Sequence, residues 1–241
     1  MPLKEDIQKL IAREFRVMQR VYAPVHDYQF VSLDEFPHLN RRFYEGTGEL
    51  LKTFGFLPIG DLHAKGGSPD WQSVGRYLSG DHGTIVANIY EVRPAGAARL
   101  KLARSNLQNS QTVSFFTELT DGVILVTTNS RSAFAFPKPL SVMVFQYRGL
   151  PPAPELLSKH RECLAWIIAQ KPGVTAVVIQ TGEQLIASLN RYQLLLHAYF
   201  SSDGFSVDQY VERYRGILHV SAMRVIGGGL RTMRRSSAAE S

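Results

Sequence analysis

The alternation of apolar and polar positions is clearest in the middle of the chain, over residues 112–129. Two runs rich in β-branched and aromatic residues flank Asp121-Gly122. This dipeptide favours a tight turn, because glycine adopts a positive φ at no steric cost and aspartate tolerates it. The pattern therefore predicts a β-hairpin.

Further strands are predicted on both sides of this hairpin. Residues 74–78 and 84–92 predict a second hairpin, and the later run is largely apolar in both alternating phases, which is typical of a strand covered on both faces. Residues 56–63 predict an edge strand, because Pro58 has no N–H for a central ladder. Short apolar runs over 141–147 and 174–180 predict two more strands.

Helical periodicity occupies the two ends of the chain. Apolar residues at intervals of three and four predict helices over 3–22, 38–54, 154–171, 183–200 and 207–218. The last two helices follow Thr181-x-x-Gln184 and Ser206-x-x-Gln209, which have the form of capping boxes.

Strands in the middle and helices at both ends predict an α+β fold. We expect a central, mostly antiparallel sheet, a meander of hairpins, flanked by N-terminal and C-terminal helices. The expected organisation is a single domain over 1–226, helical over 1–54, sheet over 55–148 and mainly helical over 149–226. Gly227-Gly228-Gly229 then predicts the start of a flexible basic tail over 227–241.

Several turn and strand segments form a pattern of their own. They are G-F-x-x-x-G-D over 55–61, D-H-G-T over 81–84, F-x-T-E-L-x-D-G-x-x-L-V-T-T-N over 115–129 and H-R-E over 160–162. Across about residues 55–165 the chain resembles an uncharacterised family of bacterial proteins. The resemblance implies a shared fold; it carries no known activity and implies no catalytic residues.

Charge is concentrated at the C-terminus. The net charge is +6, and residues 213–241 contain six arginines and one acid, so five of the six net charges lie there. Arg231, Arg234 and Arg235 are therefore predicted contacts for an acidic partner or an anionic surface, with a solvated tail as the alternative. No basic stripe runs along the rest of the chain, so nucleic acid is not an expected partner.

The remaining composition indicates a soluble cytoplasmic protein. Cys163 is the single cysteine, so no internal disulfide can form. The N-terminal residues lack the pattern of a secretory signal, and no run of 18 apolar residues predicts a membrane span. A protein partner or a homo-oligomer is expected.

The common catalytic motifs are missing from the sequence. There is no phosphate-binding G-x-x-x-x-G-K-[ST] loop, no H-E-x-x-H, no C-x-x-C, no G-x-S-x-G and no G-x-G-x-x-G. Their absence makes several common enzyme classes less favoured, although it does not exclude an enzyme with an unfamiliar site. No metal site is predicted, and the sequence does not identify a cofactor. Whether the protein is an enzyme stays open at this point.

Asp61, His63 and His82 form the best candidate catalytic group. Asp61 and His63 are two residues apart on a predicted strand and therefore project to one face. A carboxylate beside an imidazole can orient a general base or help to bind a metal, provided that His82 from the next turn joins them. The alternative is a turn-forming aspartate and a surface histidine.

Two further groups carry weaker signals. Thr127, Thr128, Asn129 and Arg131 end the central hairpin and are candidate ligand-binding residues, although such residues also close turns. His160 and Cys163 are neighbours on one predicted helix; they would form either a reactive thiolate pair or part of an apolar core.

The sequence therefore supports two hypotheses of different classes. The first is a binding or interaction protein whose partner is a protein or an acidic surface. The alternative is a hydrolase-type enzyme with its site near Asp61, His63 and His82.

Overall fold

The structure, a computed structural model, describes residues 2–65, 71–94, 110–130, 136–147, 151–212 and 220–239. The chain divides into two compact units. The sheet unit comprises residues 26–133 and 140–192, and the helical unit comprises residues 1–25, 134–139 and 193–241. The single domain predicted over 1–226 stays a prediction.

Within the described residues, seven strands form one sheet in chain order. They are β1 (Tyr28–Phe30), β2 (Leu57–Ala64), β3 (Trp71–Gly80), β4 (Ile85–Pro94), β5 (Ser110–Glu118), β6 (Ile124–Thr128) and β7 (Val142–Gln146). Neighbouring strands from β1 to β6 are antiparallel, whereas β6 and β7 are parallel. The predicted α+β class with a mostly antiparallel sheet is confirmed.

Helices occur toward both ends of the chain, as predicted. They are α1 (Pro2–Val21), α2 (Arg41–Lys52), α3 (Ala153–Gln170), α4 (Gly182–Ser201), α5 (Val207–Val211) and α6 (Val220–Ala239). Short 3-10 turns occupy Leu33–Glu35 and Asp81–Gly83. At both predicted capping boxes the cap hydroxyl accepts from a backbone N–H, since Gln184 N donates to Thr181 Oγ1 at 3.3 Å and Gln209 N donates to Ser206 Oγ at 3.2 Å. At the first box Gln184 Oε1 also accepts from Thr181 N at 3.1 Å, which completes the motif.

The central hairpin forms as its sequence predicts. β5 and β6 pair from Ser114 opposite Thr128 to Glu118 opposite Ile124. Gly122 has a φ of 82°, and the carboxylate of Asp121 accepts a hydrogen bond from Val123 N at 3.2 Å. Gly122 therefore adopts the predicted positive φ, whereas Asp121 does not and instead stabilises the turn through its side chain.

Both faces of the sheet are covered by apolar residues. On the α3 face, α2 and α3 pack against the strands through a cluster that includes Tyr44, Phe56, Ile89, Phe115 and Leu156. On the opposite α4 face, the residues before and within the first half of α4 pack against the strands through a second cluster, whose buried members are Leu62, Tyr77, Val86, Ile179 and Leu185. Successive β4 residues alternate between these clusters, which confirms the prediction that this strand is covered on both faces.

One strand prediction is only partly correct and another is wrong. β1 pairs with Leu62–Ala64 of β2, so within the described residues β2 is an edge strand only before Leu62, where Pro58 lies next to an irregularity between Pro58 and Gly60. Residues 174–180 are not a strand but an extended segment with one isolated bridge, from Leu119 to Ala176. A short apolar run indicates that a segment is buried, but it does not show whether the segment also pairs as a strand.

The predicted flexible tail is also different in the structure. Residues 227–239 continue α6, in which Ile226 and Leu230 are fully buried. Gly229 faces Ile11 of α1 so closely that a Cβ at this position would lie 2.6 Å from Ile11 Cδ1. Gly229 thus serves close helix packing, and the three glycines lie inside a helix and not in a linker.

The candidate cavity on the alpha4 face of the sheet

The structure does not assemble Asp61, His63 and His82 into one site. Asp61 binds Arg76 in a bidentate ion pair with N–O distances of 2.7 and 2.8 Å, and His63 Nδ1 lies 2.9 Å from Ser73 O. Ser79 pairs with Leu57, so the turn that carries His82 follows one end of β2, whereas His63 lies six residues further along. At about 3.3 Å per residue this is roughly 20 Å.

Among the residues that the structure describes, no three histidine, cysteine, aspartate or glutamate side chains are placed to hold a metal ion. The predicted hydrolase site therefore lacks the convergence on which it depended.

The polar residues at the end of the central hairpin make hydrogen bonds within the sheet and to α3. Thr128 Oγ1 lies 2.7 Å from Ser114 Oγ, and Asn129 Oδ1 accepts from Val113 N at 2.8 Å. Thr127 is fully buried against His160, on the other face of the sheet from Thr128. Arg131, the fourth predicted ligand-binding residue, lies outside the described residues.

His160 is held between two threonines on the α3 face. Thr117 donates its hydroxyl hydrogen to Thr84 O at 2.8 Å, so it must accept from His160 Nε2, which is 3.0 Å away. His160 Nδ1 then accepts from Thr127 Oγ1 at 2.9 Å. Both ring nitrogens are satisfied in the neutral form, and burial lowers the pKa of His160 to about 3.

This arrangement favours the core-packing interpretation of His160 and Cys163 over a reactive pair. The Cys163 Sγ atom lies 3.9 Å from the Tyr147 hydroxyl, within an apolar cluster that includes Leu125 and Ile167. Because both nitrogens of His160 are bound to threonine hydroxyls, the imidazole has no position left for a cysteine proton.

The predicted acidic-partner residues have partners inside the helical unit. Arg231 Nη1 binds Asp208 Oδ1 at 2.7 Å. Arg234 Nη1 donates to Phe200 O at 2.6 Å and to Ser202 O at 2.8 Å, where carbonyl groups at the end of α4 lack helical partners. The side chain of Arg235 is exposed. Two of the three arginines thus hold α6 in place.

A cavity of about 160 Å³ lies on the α4 face of the sheet. Strands β3 to β6 form its floor and the first half of α4 forms its opposite wall. Its lining consists of Tyr77, Asn88, Ser114, Phe116, Ile124, Val126, Ser188, Leu189 and Tyr192. Three aromatic rings, three aliphatic side chains and three small polar side chains therefore surround one space.

The amide of Asn88 is the distinctive polar group of this lining. Its Oδ1 atom is buried and has no hydrogen-bond partner. Asn88 pairs with Tyr77 across β3 and β4, and Gly75 makes room for both side chains. A Cβ on Gly75 would lie 2.9 Å from Asn88 Oδ1 and 2.8 Å from the Tyr77 ring.

A buried carboxylate that is paired with an arginine of α4 holds the wall formed by α4. Glu118 is buried and accepts from Ser188 Oγ at 2.5 Å and from Arg191 Nε and Nη2 at 2.5 and 2.8 Å. The hydroxyl hydrogen of Ser188 is therefore committed to Glu118, and its oxygen offers the cavity only acceptor capacity. The carboxylate itself is fully compensated.

The two tyrosines of the lining stay uncharged at physiological pH. Desolvation by burial raises the pKa of Tyr77 and that of Tyr192 well above their usual range. Their rings therefore contribute an aromatic surface without introducing charge.

The residues that line this cavity carry little signal in the sequence. The one available signal was Asn88, a strong hydrogen-bonding residue inside the otherwise apolar segment 85–90. Ser188 and Tyr192 follow the helical pattern of α4 and carry no signal of their own. They reach Asn88 only because α4 packs across strands about 100 residues earlier in the chain.

Comparisons with protein-family models, with curated proteins and with solved structures find no match for this chain. The resemblance to an uncharacterised bacterial family over about 55–165 therefore stays a prediction. Across the described residues, no helix combines the length and the apolar character needed to cross a membrane.

Proposed function

We propose that this protein is a non-catalytic binding protein whose cavity on the α4 face of the sheet holds a small organic molecule. The observation that carries the proposal is the cavity of about 160 Å³, in which aromatic and aliphatic side chains surround a space that also contains the small polar side chains Asn88, Ser114 and Ser188.

The composition of the lining supports binding over catalysis. The nine lining residues include no histidine, cysteine, carboxylate or lysine that could act as a general acid or base. An aromatic and aliphatic wall with a few convergent polar groups is the usual form of a small-molecule site. Ser188 is not paired with a general base of the kind that activates nucleophiles, because the Glu118 carboxylate is already bound to Arg191.

The other expected functions have less support. An acidic partner bound through Arg231 and Arg234 would have to break contacts that these side chains make within the helical unit. A hydrolase site at Asp61 and His63 would have to break the ion pair between Asp61 and Arg76.

The proposal is tested by a fragment screen monitored by protein NMR, with one variant that fills the cavity. Val126 lines the cavity, so Val126→Phe places a ring in the space that a guest would occupy. Val225→Phe is the matched control, because Val225 is 54% exposed and lies on α6.

We expect fragments to shift the amide resonances of Asn88, Ser114 and Ser188 in the wild-type protein and in Val225→Phe. In Val126→Phe the same shifts should be lost while the folded spectrum is retained. If no fragment perturbs the lining residues, or if Val126→Phe binds as well as the control, the proposal is wrong.

A further inference from the structure

We propose that the protein forms a symmetric dimer in which β7 of one copy pairs with β7 of a second copy in an antiparallel orientation. The two sheets then join into one continuous sheet. The proposal goes beyond the ligand cavity and does not depend on it. It rests on the unpaired backbone groups of β7, on the sequence of this strand and on the exposed Trp166 of α3.

β7 forms one end of the sheet, and among the described strands only β6 pairs with it. Along a strand, the N–H and C=O groups of successive residues point to opposite sides. Ser141 O accepts from Ile124 N at 2.8 Å, and Tyr147 N donates to Thr128 O at 3.0 Å. The odd-numbered residues from 141 to 147 therefore direct their backbone groups toward β6.

The residues between them, Val142, Val144 and Gln146, direct their N–H and C=O groups away from the sheet. Within the described residues, no other backbone group bonds to them. Val144 is at the centre, so an antiparallel second copy can place its own Val144 opposite. Val142 then faces Gln146 of the second copy, and each opposed pair exchanges two hydrogen bonds. This register satisfies every outward group of both strands.

The sequence of β7 lacks the features that keep sheet edges from pairing. Proteins block an edge with proline, charged side chains, bulges or very short strands. The opposite end of the sheet has such features, because β1 is three residues long and β2 carries Pro58 beside an irregularity. β7 reads V-M-V-F-Q, and its register with β6 is continuous. The contrast indicates that the β7 edge is available for pairing.

The side of α3 next to this edge carries an exposed tryptophan. Arg161 reaches from α3 to Asp81, which follows β3, whereas Cys163 Sγ lies 3.9 Å from the hydroxyl of Tyr147, which follows β7. Trp166 is one turn from Cys163 and therefore lies on the β7 side of the helix. It is 58% exposed. Tryptophan is enriched among the residues that contribute most to binding at protein interfaces.

The symmetry of the pair brings these two features together. The two-fold axis of an antiparallel strand pair is perpendicular to the sheet, so α3 of both copies lies on the same face of the joined sheet. Lys159 and Glu162 of α3, which lie near Tyr147, form an ion pair. The two copies therefore meet without a net like charge on this side.

Sedimentation velocity of the full-length protein tests the proposal. We expect a monomer–dimer equilibrium in which the dimer fraction rises with protein concentration. A protein that stays monomeric up to millimolar concentration overturns the proposal and leaves the β7 edge to another occupant, such as an extended peptide.

Val144→Pro removes the central N–H donor from each copy. Because this N–H points away from β6, proline is compatible with the β6–β7 ladder. We expect dimerisation to weaken at least about tenfold, the value of one hydrogen bond. Val144→Thr is the matched control, since it keeps the N–H and the β-branched side chain and should dimerise like the wild-type protein. Unchanged dimerisation of folded Val144→Pro overturns the proposal.

Trp166→Glu tests the same interface without altering the sheet, and it decides the question if Val144→Pro fails to fold. We expect dimerisation to weaken at least about tenfold, as for a central interface tryptophan. Leu194→Glu is the matched control, because Leu194 is 50% exposed and lies on α4 within the helical unit. A dimer that Trp166→Glu does not weaken has a different interface, which overturns the proposal.

A short thiol-to-thiol cross-linker tests the register in a Cys163→Ser background. Val144→Cys should give a covalent dimer, because opposed residues of a hydrogen-bonded pair have Cα atoms about 5.5 Å apart. Val142→Cys should not, because its equivalent in the second copy is four residues away, about 14 Å along the strand. Cross-linking of Val142→Cys in place of Val144→Cys contradicts the proposed pairing.

Discussion

At the scale of single residues, buried polar side chains differ in whether the protein itself satisfies them. His160 makes hydrogen bonds through both ring nitrogens, to Thr117 and Thr127. Asn88 has a buried oxygen with no partner. A satisfied polar group fixes the packing of a core, whereas a buried and unsatisfied one lowers the free energy of unfolding.

Replacing His160 by alanine should lower the free energy of unfolding by about 3 kcal/mol, because the change leaves a cavity and removes a partner from each threonine. Lys159→Ala is the control on the same helix; its side chain is 40% exposed, and its surface ion pair with Glu162 should contribute little to stability. Urea denaturation measures both. Equal losses in the two variants would contradict the assigned role of His160.

The free energy of unfolding should also depend on pH through the titration of His160. Its pKa is about 6.5 in the unfolded chain and about 3 in the folded protein, because burial disfavours the charged form. The unfolded state then binds more protons between these values. The contribution of neutral His160 to the free energy of unfolding is fully present above pH 6.5 and is lost as the pH falls toward 3. Over this range the free energy of unfolding changes by about 1.4 kcal/mol per pH unit.

His160→Gln tests this dependence, since an amide can replace the neutral imidazole as donor and acceptor without titrating. Between pH 6 and 4 the wild-type protein should lose stability more steeply than the variant, by about 1.4 kcal/mol per pH unit. Urea midpoints across this range provide the measurement. Parallel curves would show that His160 is protonated in the folded state.

At the scale of elements, two glycines next to each other in α6 have opposite roles. Gly228 has open space where a Cβ would be, whereas a Cβ on Gly229 would meet Ile11 of α1 at 2.6 Å. Glycine costs about 1 kcal/mol relative to alanine inside a helix. It is retained at a contact where only a hydrogen atom fits.

Gly228→Ala should therefore raise the free energy of unfolding by about 1 kcal/mol. Gly229→Ala should be less stable than Gly228→Ala by about 1–3 kcal/mol, because overpacking against Ile11 offsets the helix propensity. Thermal denaturation of the matched pair measures the difference. If both substitutions stabilised the protein equally, the packing of α6 on α1 would be contradicted.

At the scale of the whole molecule, the three apolar clusters of the sheet belong to one unit. All their members lie between residues 31 and 189, within the sheet unit. The cavity lining also lies there entirely. A unit that contains its own core meets the main requirement for folding alone.

A fragment comprising residues 26–192 should therefore fold and keep its ligand site. We expect dispersed amide resonances and the same fragment-induced shifts at Asn88 and Ser188 as in the full-length protein. A control fragment of residues 26–170 lacks Ile179, Leu185 and the α4 wall, so it should lose the site. An unfolded 26–192 fragment would show that the sheet unit depends on the rest of the chain.

Local sequence signals predicted most of the fold. The Asp121-Gly122 turn, the two capping boxes and the helical stripes each depend on side chains that are close in sequence. Such signals act through backbone conformation and short-range hydrogen bonds, so they predict local structure without any knowledge of the tertiary packing. They correctly identified an α+β protein with helices at both ends.

The misassigned elements share a physical cause. Gly227-Gly228-Gly229 resembles a linker in composition, yet Gly229 is required by a side chain more than 200 residues earlier. Residues 174–180 are apolar because they cover the sheet, and not because they pair as a strand. In both cases the conformation depends on the surface against which the segment packs, and a local sequence pattern contains no information about that surface.

The sequence by itself determined the fold class, the turns and most helix boundaries, because these follow from local backbone preferences and from hydrophobic periodicity. Only the tertiary structure decided which polar residues meet. It separated His63 from His82 along β2, enclosed His160 between two threonines and brought Ser188 and Tyr192 to Asn88. A binding site is a long-range contact set, and its chemistry arises only when packing excludes water from it.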